Sequence, residues 1–194
     1  MGIYEFAGCV VSYEPLYGLL RRRMETYRSD TERQPDITLG GTKEDYEKLR
    51  KQYPHLSIEE CEYSCAGAEF YMKLLKHQGF MIHASAVEKE GKAYLFSAPS
   101  GTGKSTHAQL WRQTFKGEPI RIINDDKPAV CLQNGVFYAC GTPFSGKTDK
   151  NENRKAPIQG LCMLHRGKTN KIQKITSGEA LPLILPQTLF YGDE

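Results

Sequence analysis

The run Ala98-Pro99-Ser100-Gly101-Thr102-Gly103-Lys104-Ser105-Thr106 holds the residue types that grip a phosphate group. Glycines at 101 and 103 permit backbone conformations that turn successive N–H groups toward an anion. A helix opening at Lys104 adds the positive end of its dipole. In a loop of this kind the lysine reaches the β- and γ-phosphates of a nucleotide, and the next serine places its hydroxyl on Mg2+. Ser100, Gly101, Thr102, Gly103, Lys104, Ser105 and Thr106 are therefore the expected nucleotide-binding residues, with ATP and Mg2+ as ligands and Ser105 on the metal. The strict pattern starts with a glycine where this chain has Ala98, a change at the very beginning of the loop. The competing reading, a Gly/Ser-rich turn with an incidental lysine, does not account for an apolar strand before and a helix after.

Chemistry on a nucleotide also needs a carboxylate at the end of a neighbouring strand. Ile120-Arg121-Ile122-Ile123-Asn124-Asp125-Asp126 supplies two where its apolar run stops. One aspartate would hold Mg2+ and the other accept a proton, and the residue types alone leave the assignment open. The alternative is a solvated Asx turn ahead of Pro128. His83 enters through a hairpin: if Phe80 to Val87 pairs with Ala93 to Ser97 across a turn at Lys89-Glu90, His83 faces Phe96 beside the strand end that launches the loop. A strand-end histidine is otherwise structural. The polar segment from Gly141 to Lys155 is long for a connection without a role. Eight Lys or Arg residues fall between Phe144 and Lys174, against Asp149 and Glu152. A mobile basic segment would cover a γ-phosphate or dock an acidic acceptor, with Lys147 and Arg154 as the candidate contacts; the alternative is an ordinary solvated loop.

These residues need elements to position them. From Phe80 onward the chain reads as short strands between turns: Phe80 to Val87, Ala93 to Ser97, Ile120 to Asn124, Ala129 to Leu132, Val136 to Cys140, Ile158 to Leu164 and Lys171 to Ile175. Asn134-Gly135 is a strong hairpin signal and His165-Arg166-Gly167-Lys168 a weaker one. One helix, from about Lys104 to Phe115, interrupts them, so the sheet is expected to be mixed. The link from Glu88 to Lys92 is only a turn, so the glycine loop grows from an antiparallel hairpin rather than a parallel crossover. Ahead of this lies a strand from Ile3 to Val11, a short helix around Leu19 to Met24 whose arginines 21–23 read as a solvated face, and two helices capped by Thr42 with Asp45 and by Ser57 with Glu60. The second of these runs to His77 with Gly79 as terminator. Ser177 to Tyr191 begins as a capped helix and stops without a clear end, from which a natural chain continuing past Glu194 is expected.

The 194 residues suit one domain, with 1–78 as an N-terminal α/β extension. Lys plus Arg at 26 against Asp plus Glu at 23 is too balanced to point to nucleic acid. The mean hydropathy of −0.54 and the absence of an apolar run near the roughly 18 residues of a membrane span exclude a membrane protein of that type. Six cysteines show no metal spacing, with Cys61 and Cys65 sharing one helix face as small hydrophobes, and a reducing, cytoplasmic location is the expectation.

With these residues in view, His83 to Val130 resembles the HPr kinase/phosphorylase family and, more distantly, phosphoenolpyruvate carboxykinase. In that kinase family a histidine, a β-hairpin, a glycine-rich GKS loop, a helix and a strand ending in Asp-Asp occur in this order, and the spacing from His83 to Lys104 matches. Ile158-Gln159-Gly160-Leu161 looks like the family's Ile-Arg-Gly-Leu signature, but its metal-binding glutamate falls on Pro157 here. The resemblance implies a mixed, largely antiparallel α/β sheet of the carboxykinase/HPr kinase type. It implies an ATP-dependent kinase acting on a hydroxyl of a protein, peptide or small molecule. Lys104 would contact phosphates and Ser105 would ligate Mg2+. Asp126 would be the base, assisted by His83, which leaves Asp125 to the metal. An ATP-binding switch with little turnover is the alternative, while carboxykinase chemistry would need an arginine cluster that is not evident near the loop. The acceptor, the nucleotide base and the oligomeric state stay open.

Overall fold

The computed structural model describes residues 1–115 and 117–189. The stretch expected as one N-terminal strand is a hairpin, β1 (Gly2–Phe6) against β2 (Cys9–Tyr13), with Phe6 opposite Cys9. Ala7 (φ 52°) and Gly8 (φ 79°) both take the left-handed conformation that a two-residue hairpin turn demands, and Ala-Gly announces this less clearly than Asn-Gly. Next come α1 (Gly18–Glu25) and β3 (Ile37–Thr38), which joins β2 in parallel. α2 (Lys43–Gln52) and α3 (Ile58–Leu74) each start at a complete capping box, Thr42 with Asp45 and Ser57 with Glu60, as the spacing predicts. The α-helical part of α3 ends three residues early in a 3-10 turn, Leu75–His77. Gln78 (φ 57°) takes the left-handed cap in place of Gly79, which already pairs with Cys131.

The other strands are β4 (Gly79–Met81), β5 (Ala84–Lys89), β6 (Lys92–Ser97), β7 (Arg121–Asp126), β8 (Ala129–Gln133), β9 (Val136–Cys140) and β10 (Lys155–Met163). They form one curled sheet in the order β4-β8-β9-β10-β6-β5-β7, antiparallel at every step except β10–β6. The mixed, largely antiparallel α/β class is therefore present. β4 and β7 stand at opposite ends of that order, yet Ile82 and His83 alone join β4 to β5, and Lys127 and Pro128 alone join β7 to β8. Links this short reach only about 10 Å, so the sheet must curl until its ends approach. The expected strand Phe80 to Val87 breaks at this corner because its halves serve opposite ends of the sheet.

The β5–β6 hairpin turns at Glu90 (φ 51°) and Gly91 (φ 73°) rather than at Lys89-Glu90. Glycine at the second turn position decides this. Ser85, not His83, consequently faces Phe96. The slip is two residues, so every side chain keeps its expected side of the sheet. β8–β9 turns at Asn134-Gly135 as predicted. The stretch Lys171 to Ile175 forms no strand; it finds no sheet edge, and Ile172 is exposed. The hairpin expected at residues 165–168 is absent with it. α4 (Lys104–Thr114) packs Ala108 against Val87, Phe96 and Ile122. α5 (Ser177–Ile184) starts at a third capping box, Thr176 with Glu179, and a 3-10 turn, Leu185–Gln187, follows; the expected end at Tyr191 lies outside the described residues.

The N-terminal part shares its core with the large sheet. Phe6, Tyr27, Phe70 and Tyr71 pack with Phe144, Cys131 and Cys140 in one cluster. Glu62 of α3, fully buried, accepts hydrogen bonds from Tyr13 Oη (3.1 Å) and from the backbone N–H groups of Leu16 and Tyr17. All six cysteines are free, and no described helix is long and apolar enough to cross a membrane. Glu62→Ala strips three donors of their acceptor and is expected to lower stability by about 3 kcal/mol, measured by urea unfolding. A loss below about 0.5 kcal/mol would show that water replaces the carboxylate.

Candidate functional site

β6 leads directly into the 98–103 loop, and α4 opens at Lys104. Gly101 (φ 76°) and Gly103 (φ 116°) occupy conformations that residues with side chains rarely adopt, and nothing lies within 4 Å of where a Cβ would stand on either. Lys104 is 7% exposed and donates to the carbonyls of Ala98 (2.9 Å) and Pro99 (3.4 Å). Burial pulls its pKa down, and the charges of Asp126 and Asp125 partly oppose this. Ser105 is half-buried; Ser100 and Thr106 are exposed. Beside the loop is an open hollow of about 440 Å3 lined by Gly101, Gly103, His107, Leu110 and Leu164 among others. At its edge Arg166 donates to the Gly101 carbonyl (2.6 Å), a contact that a count of basic residues does not single out.

The two aspartates have different surroundings. Both belong to β7, which runs past the strand end expected at Asn124. Asp125 is 2% exposed, so the solvated-turn alternative does not hold for it. It accepts from the hydroxyls of Ser85 and Thr148, one on each carboxylate oxygen. Asp126 adopts φ 138°, rare for a residue with a side chain, at the corner between the two ends of the sheet. Its carboxylate meets His83 Nε2 at 3.2 Å and Lys127 Nζ at 3.0 Å. Burial alone would raise the Asp126 carboxyl, but the His83 hydrogen bond and the Lys127 ammonium outweigh it and hold the pKa at about 2. Lys127 also donates to Tyr63 Oη (3.3 Å), and its pKa is raised because neighbouring Tyr63 and Asp126 overcome its burial.

His83 sits in the other crossing of the same corner. Its Nδ1 meets Gln187 Oε1 at 3.2 Å, and its carbonyl accepts from Ser97 Oγ (2.9 Å) at the strand end that enters the loop. The ring is half-buried rather than packed in the core. The corner is held by Asn124, whose Oδ1 accepts from Lys127 N (2.9 Å) while its Nδ2 donates to the carbonyls of Thr142 (3.1 Å) and Phe144 (3.3 Å). One extra residue in β7 around Ile123, a bulge opposite Ala86 and Val87, sets this aim.

The segment expected as a mobile basic cover is strapped along β7. Asp125 N donates to Lys150 O, Glu152 N to Ile123 O and Gly146 N to Asp125 O, all near 3 Å. A Cβ at Gly146 would stand 2.9 Å from that Asp125 carbonyl, so only glycine allows the approach. Arg23, read from the sequence as part of a solvated face, is instead nearly buried against this segment. Its guanidinium bonds Ser145 O (3.0 Å) and Gly146 O (3.2 Å) and pairs with Asp149 (2.8 Å). Lys147 is exposed between Gly146 and Thr148, next to the aspartates in the chain path. Arg154 is not brought to the loop. It forms a two-bond pair with Glu88 (2.8 and 3.1 Å), toward the hairpin-turn end of β5 and away from the end that enters the site. The residues that spacing could not reveal are Lys127, Ser85, Thr148 and Tyr63, which the fold brings to the aspartates.

Among the described residues no three His, Cys, Asp or Glu side chains converge as a metal cage. The Ser105 hydroxyl and the Asp125 carboxylate are oxygen donors of the kind Mg2+ takes, and Asp125 would have to give up Ser85 or Thr148 to hold it. Pro157 sits in β10 opposite Tyr138. Compared with models of known protein families and with the sequences of curated proteins, the chain matches none.

The depressed Asp126 pKa makes a pH prediction. The folded site favours the charged carboxylate, so its stabilising contribution is full above an ordinary aspartate pKa near about 4 and is lost as pH falls toward 2. His83→Ala removes a hydrogen bond to the carboxylate and is expected to raise the Asp126 pKa, read from its side-chain carbon shift by NMR. An unchanged titration would mean that Lys127 alone holds the charge.

Proposed function

We propose that the protein is an ATP-dependent phosphotransferase that moves the γ-phosphoryl group to a hydroxyl acceptor, as the HPr kinase resemblance implies. The observation that carries this reading is a row across three strands: Ser97, which enters the glycine loop headed by buried Lys104, pairs with Ala84, and Ala84 pairs with Asp126 at the strained strand corner. The open backbone of residues 100–103 would take the β- and γ-phosphates, Lys104 would turn from its own loop carbonyls to them, and the hollow along α4 would receive the nucleoside. Mg2+, held by Ser105 and Asp125, would supply neutralising charge for the phosphates. The acceptor oxygen bonds to the γ-phosphorus, the bond from that phosphorus to the β–γ bridging oxygen breaks, the hydroxyl proton passes to Asp126, and ADP leaves. A carboxylate with a pKa near 2 is a weak base. It suits a loose transition state in which the proton moves late and the carboxylate chiefly orients the hydroxyl. His83 and Lys127 fix its two oxygens, and the exposed Lys147 is a basic group of the strapped segment that would meet an acceptor or the γ-phosphate.

A nucleotide-dependent switch with little turnover is the second reading. The observation in its favour is that both aspartates are already satisfied by neighbours within the chain.

Two substitutions separate the outcomes. Lys104→Ala is expected to weaken Mg-ATP binding about ten- to a hundredfold, the loss of one charge-assisted hydrogen bond, and unchanged affinity by calorimetry would defeat nucleotide binding at this loop. Asp126→Asn is expected to slow transfer by about 10² to 10⁴ with ATP affinity nearly unchanged. The assay is mass spectrometry of seryl and threonyl peptides and small alcohols after incubation with ATP. Transfer within a few-fold of wild type would remove Asp126 as the base, and absence of transfer across all acceptors with tight ATP binding would favour the switch.

A further inference from the structure

A cavity of about 210 Å3 has Lys127, the ion-pair partner of Asp126, in its lining. Tyr63, Gly67, Ala68 and Tyr71 of α3 form one wall, and Met81, Phe144 and Leu189 close the others. Its polar lining groups are bonded to one another and to the site: Lys127 Nζ donates to Tyr63 Oη and pairs with Asp126, while Tyr71 Oη donates to the Lys127 carbonyl. Lys127, the charged residue of the lining, is paired with Asp126, and Arg23 behind the Tyr63 ring is paired with Asp149, so the space favours a neutral occupant. An enclosed apolar cavity of roughly 150 Å3 is enough to bind benzene, and this one takes a single aromatic ring or a branched aliphatic group of similar size. Two of its lining residues lead to the Asp126 carboxylate: Tyr63 Oη lies 3.3 Å from Lys127 Nζ, which lies 3.0 Å from Asp126.

Resting on the phosphotransferase reading, we infer that this cavity seats the apolar part of the acceptor, and that the acceptor is a neutral alcohol carrying an aromatic or bulky aliphatic group a short arm away from its hydroxyl. The cavity then sets specificity while Asp126 receives the hydroxyl. The same chemistry is present in a free aryl alcohol and in a serine flanked by a bulky apolar residue of a peptide. The two sources differ only in what extends into solvent.

The test separates the cavity from the kinase. Ser64 is an exposed residue of α3 on the cavity rim and makes no hydrogen bond to the aspartates; Ser64→Trp plugs the space, and Ala68→Leu, which fills it from one helical turn along, serves if the first variant is unstable. Without nucleotide, 2-phenylethanol is expected to shift the Met81 methyl resonance in the wild type and not in the plugged variant. With Mg-ATP, N-acetyl-Phe-Ser-amide or 2-phenylethanol is expected to show a KM about ten- to a hundredfold below that of N-acetyl-Gly-Ser-amide or ethanol, the worth of burying one ring. Whichever pair shows the preference identifies the peptide or the free alcohol as the source. The plugged variant loses the preference while Mg-ATP affinity and turnover of the small acceptor stay unchanged. Equal KM values with no effect of the plug overturn the inference and leave the kinase standing. Binding of 2-phenylethanol that the plug blocks, without transfer to any acceptor, overturns the acceptor role and the kinase reading together. Binding that appears only after deletion of residues 190–194 assigns the cavity to the chain's own end and overturns the inference.

Discussion

The buried side-chain amide of Asn124 is the constraint on which the site depends. Its oxygen caps Lys127 N and its nitrogen holds the carbonyls of Thr142 and Phe144, so one planar group sets the end of β7, the turn into β8 and the path of the segment that follows β9. All of its partners are themselves buried or half-buried, where an unmet donor or acceptor is costly. With this amide in place, Asp126 can be held at a backbone angle it would not choose alone, and Asp125 can be turned inward onto Ser85 and Thr148. A local strain of this kind persists only where its surroundings over-determine it.

The curl of the large sheet is the second condition. His83 lies in the link from β4 to β5 and Lys127 in the link from β7 to β8, and these two crossings face each other only because the ends of the sheet approach. That proximity makes the His83–Asp126–Lys127 trio and keeps Asp126 ionised to strongly acidic pH. The N-terminal part contributes directly: Arg23 grips the strapped segment, Tyr63 receives the Lys127 ammonium, and Phe70 and Tyr71 pack on Phe144. Residues 1–78 thus form a wall of the candidate site in addition to sharing its core, although they carry no motif of their own.

Local chemistry made much of this molecule legible from its residues alone. Capping boxes, the Asn134-Gly135 turn, the start of α4 after two glycines and the alternation of short strands all depend on neighbours a few positions apart. Local signals that are weak or equal leave a turn ambiguous: Ala7-Gly8 hides one inside an apolar run, and Glu90-Gly91 outcompetes Lys89-Glu90 one position away. Lys171 to Ile175 had the composition of a strand but no edge to pair with.

Tertiary structure alone decided which distant side chains meet. Arg154 and Lys147 lie in one basic segment, yet Glu88 captures the first and Gly146 brings the second near the aspartates. Arg23 looks like its neighbours Arg21 and Arg22 in the sequence and is distinguished only by the carbonyls waiting for it across the fold. Lys127 and Tyr63 are 64 positions apart, a separation no spacing rule connects. Loop, helix cap and paired aspartates were written in the sequence because they rest on short-range hydrogen bonding and backbone preference. The partners that set their charge and direction were not, because those depend on the closure of a sheet whose ends are adjacent only in space.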